Sequence, residues 1–79
     1  MNVGMLWFDN DPRTALIAKI ERAADYYHHK YGHVPDLCLV HPSMLVEPLA
    51  KAGMKFTLDV RPNRLVLPGH LWIGNEDND

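Results

Sequence analysis

Val3-Gly4-Met5-Leu6-Trp7-Phe8, followed by Asp9-Asn10-Asp11 and, beyond a helical pattern, by Leu37-Cys38-Leu39-Val40-His41, decides how this chain is read. Each apolar run is short and close to continuous, which suits a strand covered on both faces. Between them the apolar positions change period. Leu16, Ile20, Ala23, Ala24, Tyr27 and Tyr31 fall on one stripe, while Ala18, Arg22, Asp25 and His29 fall opposite, the spacing of an amphipathic helix. Asp9 or Asp11 can cap it, Pro12 fits its first position, and Gly32 suits a left-handed stop with Pro35 behind it. A helix over about 12–31 is expected. Strand, helix, strand is the written form of a crossover unit, so the first two strands are expected side by side and parallel, with the long helix on one face.

The rest of the chain reads less cleanly. Ser43 can cap a short helix over about 44–52 that Gly53 closes, with Pro48 an awkward member. Residues 55–61 alternate strictly, Phe56, Leu58 and Val60 one way and Lys55, Thr57, Asp59 and Arg61 the other, as in a half-exposed strand near an edge. Arg64 to Leu67 can form a further strand, and His70 to Ile73 a last extended piece. The pattern leaves open whether 64–73 is one interrupted strand or a hairpin. The expectation is a single α/β domain over 1–79, with about four strands in β-α-β-α-β-β order.

Bulk properties bound the function. Seventy-nine residues build one small core with a thin margin of stability, so a second copy is a reasonable partner. The 47% apolar share is that of a globular domain, and the formal charge of −2 lacks the basic excess by which nucleic-acid modules bind phosphate. The single Cys38 lies inside an apolar run and reads as a small hydrophobe. With no charged leader and no apolar run of spanning length, a cytoplasmic protein with no membrane partner is expected.

Chemistry in a parallel sheet gathers at the carboxyl ends of the strands. That rule selects Asp9, Asp11 and His41, two carboxylates and an imidazole that could hold magnesium or act as an acid/base pair. The same residues equally cap helices and complement their dipoles. Asp9-Asn10-Asp11 resembles the first motif of the haloacid-dehalogenase phosphatases over three residues, but Arg13 stands where that family has Thr or Val. His29 and His33 have the four-residue spacing of a zinc pair, yet Gly32 interrupts the helix between them. No metal or other cofactor is therefore assigned. Two binding surfaces stand out instead. Arg22, Tyr26, His29 and Lys30 make a basic and aromatic helix face, and Leu71-Trp72-Ile73 puts three bulky groups where one core cannot take them all.

Tyr26-Tyr27, Lys30-Tyr31-Gly32 and Pro35, together with Val66-Leu67-Pro68-Gly69-His70 and Trp72 to Gly74, resemble short uncharacterised bacterial proteins that carry both patterns. The resemblance implies a bacterial, soluble, stand-alone module and brings no activity with it. The reading is a non-enzymatic binding or accessory protein acting as a homodimer or within an assembly. The alternative is a small metal- or phosphate-dependent enzyme using the acidic turn.

Overall fold

A computed structural model describes residues 3–45 and 57–76. The elements run β1 (Val3–Phe8), α1 (Leu16–Tyr31), β2 (Leu37–Val40), a 3-10 turn (Pro42–Met44), β3 (Asp59–Pro62) and β4 (His70–Asn75). The class is α/β, with one helix on a four-stranded mixed sheet among the described residues.

The strand order corrects the expected one. It is β1-β4-β2-β3, so β1 and β2 point the same way but do not touch. β4 lies between them and is antiparallel to both, and the parallel pair is β2 with β3. The reason lies in the side chains. A central strand needs bulk on both faces, and β4 supplies Leu71 and Ile73 to one and Trp72 to the other. β1 is an edge strand covered on one face only: Met5 and Trp7 pack on the core, and Leu6 and Phe8 face away from it in contact with water.

Helix α1 starts four residues later than Pro12. Asp11 uses its carboxylate on a preceding turn instead, accepting from Arg13 N–H at 2.9 Å and from the Thr14 hydroxyl at 3.0 Å. Such local bonds compete with a helix start, and Pro12 fits the turn equally well. Ala15 then precedes the helix in an extended conformation with no side-chain cap. At the other end Gly32 takes φ +75°, and its N–H reaches His28 C=O at 2.9 Å. Ile20, Ala23, Ala24 and Tyr27 are buried against Leu71, Ile73 and Cys38. Each large side chain so buried contributes about 1.5–3 kcal/mol. Tyr31, expected on the same stripe, stays exposed and rests its ring on Tyr27 at 4.9 Å.

Arg64 to Leu67 is a turn and not a strand. Asn63 takes Leu65 N–H on its side-chain oxygen at 2.8 Å and Val66 N–H on its carbonyl at 3.2 Å. A second turn at Pro68-Gly69 leads into β4, which is one uninterrupted strand. β3 keeps the expected alternation, Val60 inward and Asp59 and Arg61 outward, although Lys55 and Phe56 lie outside the described residues. Of the expected second helix only Met44, in the Pro42–Met44 turn, and Leu45 are described; 46–52 lie outside the described residues. Leu45 and Leu58, on either side of that gap, both pack into the core under α1.

Gly4 and Gly74 stand directly opposite one another, and the Trp72 indole crosses over both. A Cβ on Gly74 would meet the Val3 carbonyl and the Gly4 Cα, backbone atoms that cannot turn aside. Gly74→Ala is expected to destabilise the fold by about 2 kcal/mol, the cost of overpacking, read as a lower midpoint in urea with an unchanged slope.

Candidate functional site

The acidic turn after β1 is a tightly bonded corner. Asp9 is largely buried and meets two cations, Lys19 Nζ at 3.9 Å and Arg22 at 3.8 Å. Lys19, itself only 6% exposed, also donates to the Asp9 carbonyl at 3.0 Å. The Asp9 carboxylate accepts from Asp11 N–H at 3.1 Å. Asp11 is held below the ordinary carboxylate range, first by the Arg13 backbone N–H and then by the Thr14 hydroxyl. His41 follows β2 at the same end of the sheet, where Nδ1 accepts from Ser43 N–H at 3.1 Å and lies 2.8 Å from its hydroxyl. The imidazole, and not Ser43, caps the short turn. With β4 between β1 and β2, these strand ends stand two strand spacings apart, about 10 Å.

The helix histidines also have local partners. His29 Nδ1 lies 2.8 Å from the Asp25 carbonyl and 3.8 Å from its carboxylate. Both sit beside an open cleft of about 690 Å³ that His28, Asp36 and Thr57 help to line. His33 falls past Gly32, beside Val3, Tyr27 and Asn75. Among the described residues no group of three His, Cys, Asp or Glu side chains is placed to hold a metal ion.

The two expected binding surfaces are divided differently from their sequence order. Leu71 and Ile73 face α1 and are closed inside the core, so only Trp72 of that trio presents surface. It shares the open sheet face with Leu6, directly opposite in the β1 ladder, and with Leu39, opposite in the β2 ladder. On the helix, Arg22 reaches back to Asp9, and the Tyr26 ring tilts against Trp7 at 5.4 Å. Lys30 Nζ lies over Tyr26 at 5.7 Å and over Tyr31 at 5.4 Å. Arg22, Tyr26 and Lys30 therefore flank β1, while His29 turns to the Asp25 cleft.

Sequence reasoning passed over Leu6 and Phe8, which are 61% and 60% exposed. The Phe8 ring rests beside the His70 ring at 4.8 Å and close to Gly69. A continuous apolar run carries no mark of which face stays open. Gly4, on that same face, leaves room for the Trp72 ring. No family model, curated protein or solved structure matches the chain.

Two outcomes test the acidic corner. Lys19→Met leaves the Asp9 carbonyl without its buried donor while Arg22 remains, so a loss of about 2 kcal/mol is expected by chemical denaturation. Asp11 has a folded pKa below its unfolded one. Its contribution is therefore present above the unfolded value and lost as pH falls through the folded one. Asp11→Asn should flatten the acid limb of a stability–pH curve below about pH 4 and leave the alkaline limb unchanged.

Proposed function

We propose that this chain is a small non-enzymatic binding module that works by protein contact, as a homodimer or within a larger assembly. The supporting observation is the sheet face turned away from α1, where Leu6, Phe8, Leu39 and Trp72 make an apolar strip across three strands. Leu65 and Leu67, both more than half exposed, add to the apolar surface in the loop before β4. Contiguous apolar surface of this kind, bordered by polar groups, is what interaction sites expose. The border here is the Asp59–Arg61–Glu76 network, with Arg61 contacting Glu76 through two nitrogens at 3.0 and 3.2 Å. Tyr26 and Arg22, residue types favoured at interfaces, stand on the helix layer beside the same strand.

The corner built by Asp9 supports the same reading. Its carboxylate is neutralised by Lys19 and Arg22, and His41 lies beyond an intervening strand, so the acidic turn is employed in holding β1 to α1. The test pairs sedimentation with melting. At tens of micromolar the chain is expected to sediment heavier than its monomer mass, with a melting temperature that magnesium and zinc leave unchanged. A monomer that gains several degrees with either ion would overturn the reading in favour of metal-dependent chemistry at the Asp9 turn.

A further inference from the structure

The two edges of the sheet are unlike. β3 has four residues, places Asp59 and Arg61 on its exposed face and ends on Pro62, all features that discourage strand addition. β1 has six residues and neither charge nor proline. Its pairing phase is fixed at one end, where Asp9 N–H donates to Gly69 C=O at 2.9 Å and extends the ladder by one hydrogen-bonded pair. Such pairs alternate along antiparallel strands. Val3, Met5 and Trp7 therefore spend their N–H and C=O groups on β4, and Gly4, Leu6 and Phe8 turn theirs outward. Among the described residues no backbone group pairs with that edge.

We infer that this edge binds a second copy of the chain, β1 against β1, antiparallel about a twofold axis at Leu6, to give one continuous eight-stranded sheet. The inference rests on the binding-module reading and names its partner and register. Three features of β1 are self-complementary in this register. First, Leu6 meets Leu6 of the second copy and Gly4 meets Phe8 of the second copy, so all the outward groups of Gly4, Leu6 and Phe8 find partners at once. Second, each Phe8 ring faces a glycine that has no side chain of its own, beside the Trp72 indole already lying over Gly4. Third, on the helix side Trp7 faces Met5 of the second copy.

The register also places the helix ends. The α1 end that carries Lys30 lies over Val3, since Tyr27 in the preceding turn reaches the Val3 carbonyl at 3.4 Å. The other end is tied to Asp9. Antiparallel pairing brings the Lys30 end of each copy toward the Asp9–Asp11 turn of the other, whose carboxylates already have Lys19, Arg22 and Arg13 as partners. Exposed parts of Val3, Leu6, Phe8 and Tyr26 offer on the order of 500 Å² per copy, and the strand backbones add to this, against about 800 Å² per partner in a standard interface.

The test uses the whole chain and three variants. Leu6→Cys places two thiols at a hydrogen-bonded pair with Cα atoms about 5.5 Å apart, within disulfide reach. Mild oxidation should convert most of this variant to a reducible covalent dimer. Val3→Cys, which faces Asp9 of the second copy, should remain uncrosslinked. The native Cys38 does not interfere, being buried with its thiol pushed up to about 12. Leu6→Lys should keep its circular dichroism and melt cooperatively, and its dimer dissociation constant should rise at least tenfold. A wild-type dimer that persists in Leu6→Lys, with no crosslink in Leu6→Cys, overturns this pairing while leaving the binding-module reading in place. A wild-type monomer at all concentrations up to millimolar also overturns it, and the response to magnesium or zinc decides the broader reading separately.

Discussion

Everything in this fold depends on β4 lying between β1 and β2. It is hydrogen-bonded on both sides, and its inward side chains, Leu71 and Ile73, are the floor on which α1 rests. Without it neither β1 nor the β2–β3 pair has a complete ladder. The glycines follow from this. Gly74 lets the β1 backbone approach closely, and Gly4 opposite it leaves space for the Trp72 ring. Asp36 N–H meets the Gly74 carbonyl at 2.9 Å and Asn75 donates to the Val34 carbonyl at 2.9 Å, so the connection into β2 is pinned to the same strand.

Two polar ties orient the helix on this floor. Lys19 and Arg22 grip the Asp9 corner at one end, and the Tyr27 hydroxyl donates to the Asn75 side chain at 2.7 Å at the other. Burial raises the Tyr27 phenol above its ordinary value, so it stays a donor throughout the neutral range. The apolar stripe supplies attraction without direction, and these ties give α1 its line along β1. That line brings Tyr26 and Lys30 to the strand's free side, which joins the helix face and the first strand into one surface.

The sequence made the helix legible because a 3.6-residue stripe closed by Gly32 has few other readings. Its start was obscured because Asp11 and Pro12 serve a turn as readily as a helix. The strands at 3–8 and 37–40 were legible as short apolar runs, but strand order was not. Apolar runs do not say which of them is central, and Gly4 and Trp72 carried that information only as a pair. The candidate site divided along the same line. Arg22, Tyr26 and Lys30 could be read from helical spacing, whereas Leu6 and Phe8 become surface only once β1 is known to be an edge. Leu71 and Ile73 became core for the converse reason.

The central place of β4 also orders how the molecule forms. The strand that joins β1 to β2 follows both in the chain, so the sheet has no self-sufficient early portion. A nascent segment ending before His70 would hold an amphipathic helix, an unpaired β1 and the short parallel β2–β3 pair, with nothing to join them. Closure must wait for a contact between distant parts of the chain, which slows folding and makes it cooperative. During that wait the β1 segment is as available to a neighbouring nascent chain as to its own β4, and assembly and folding would then draw on the same strand at the same moment.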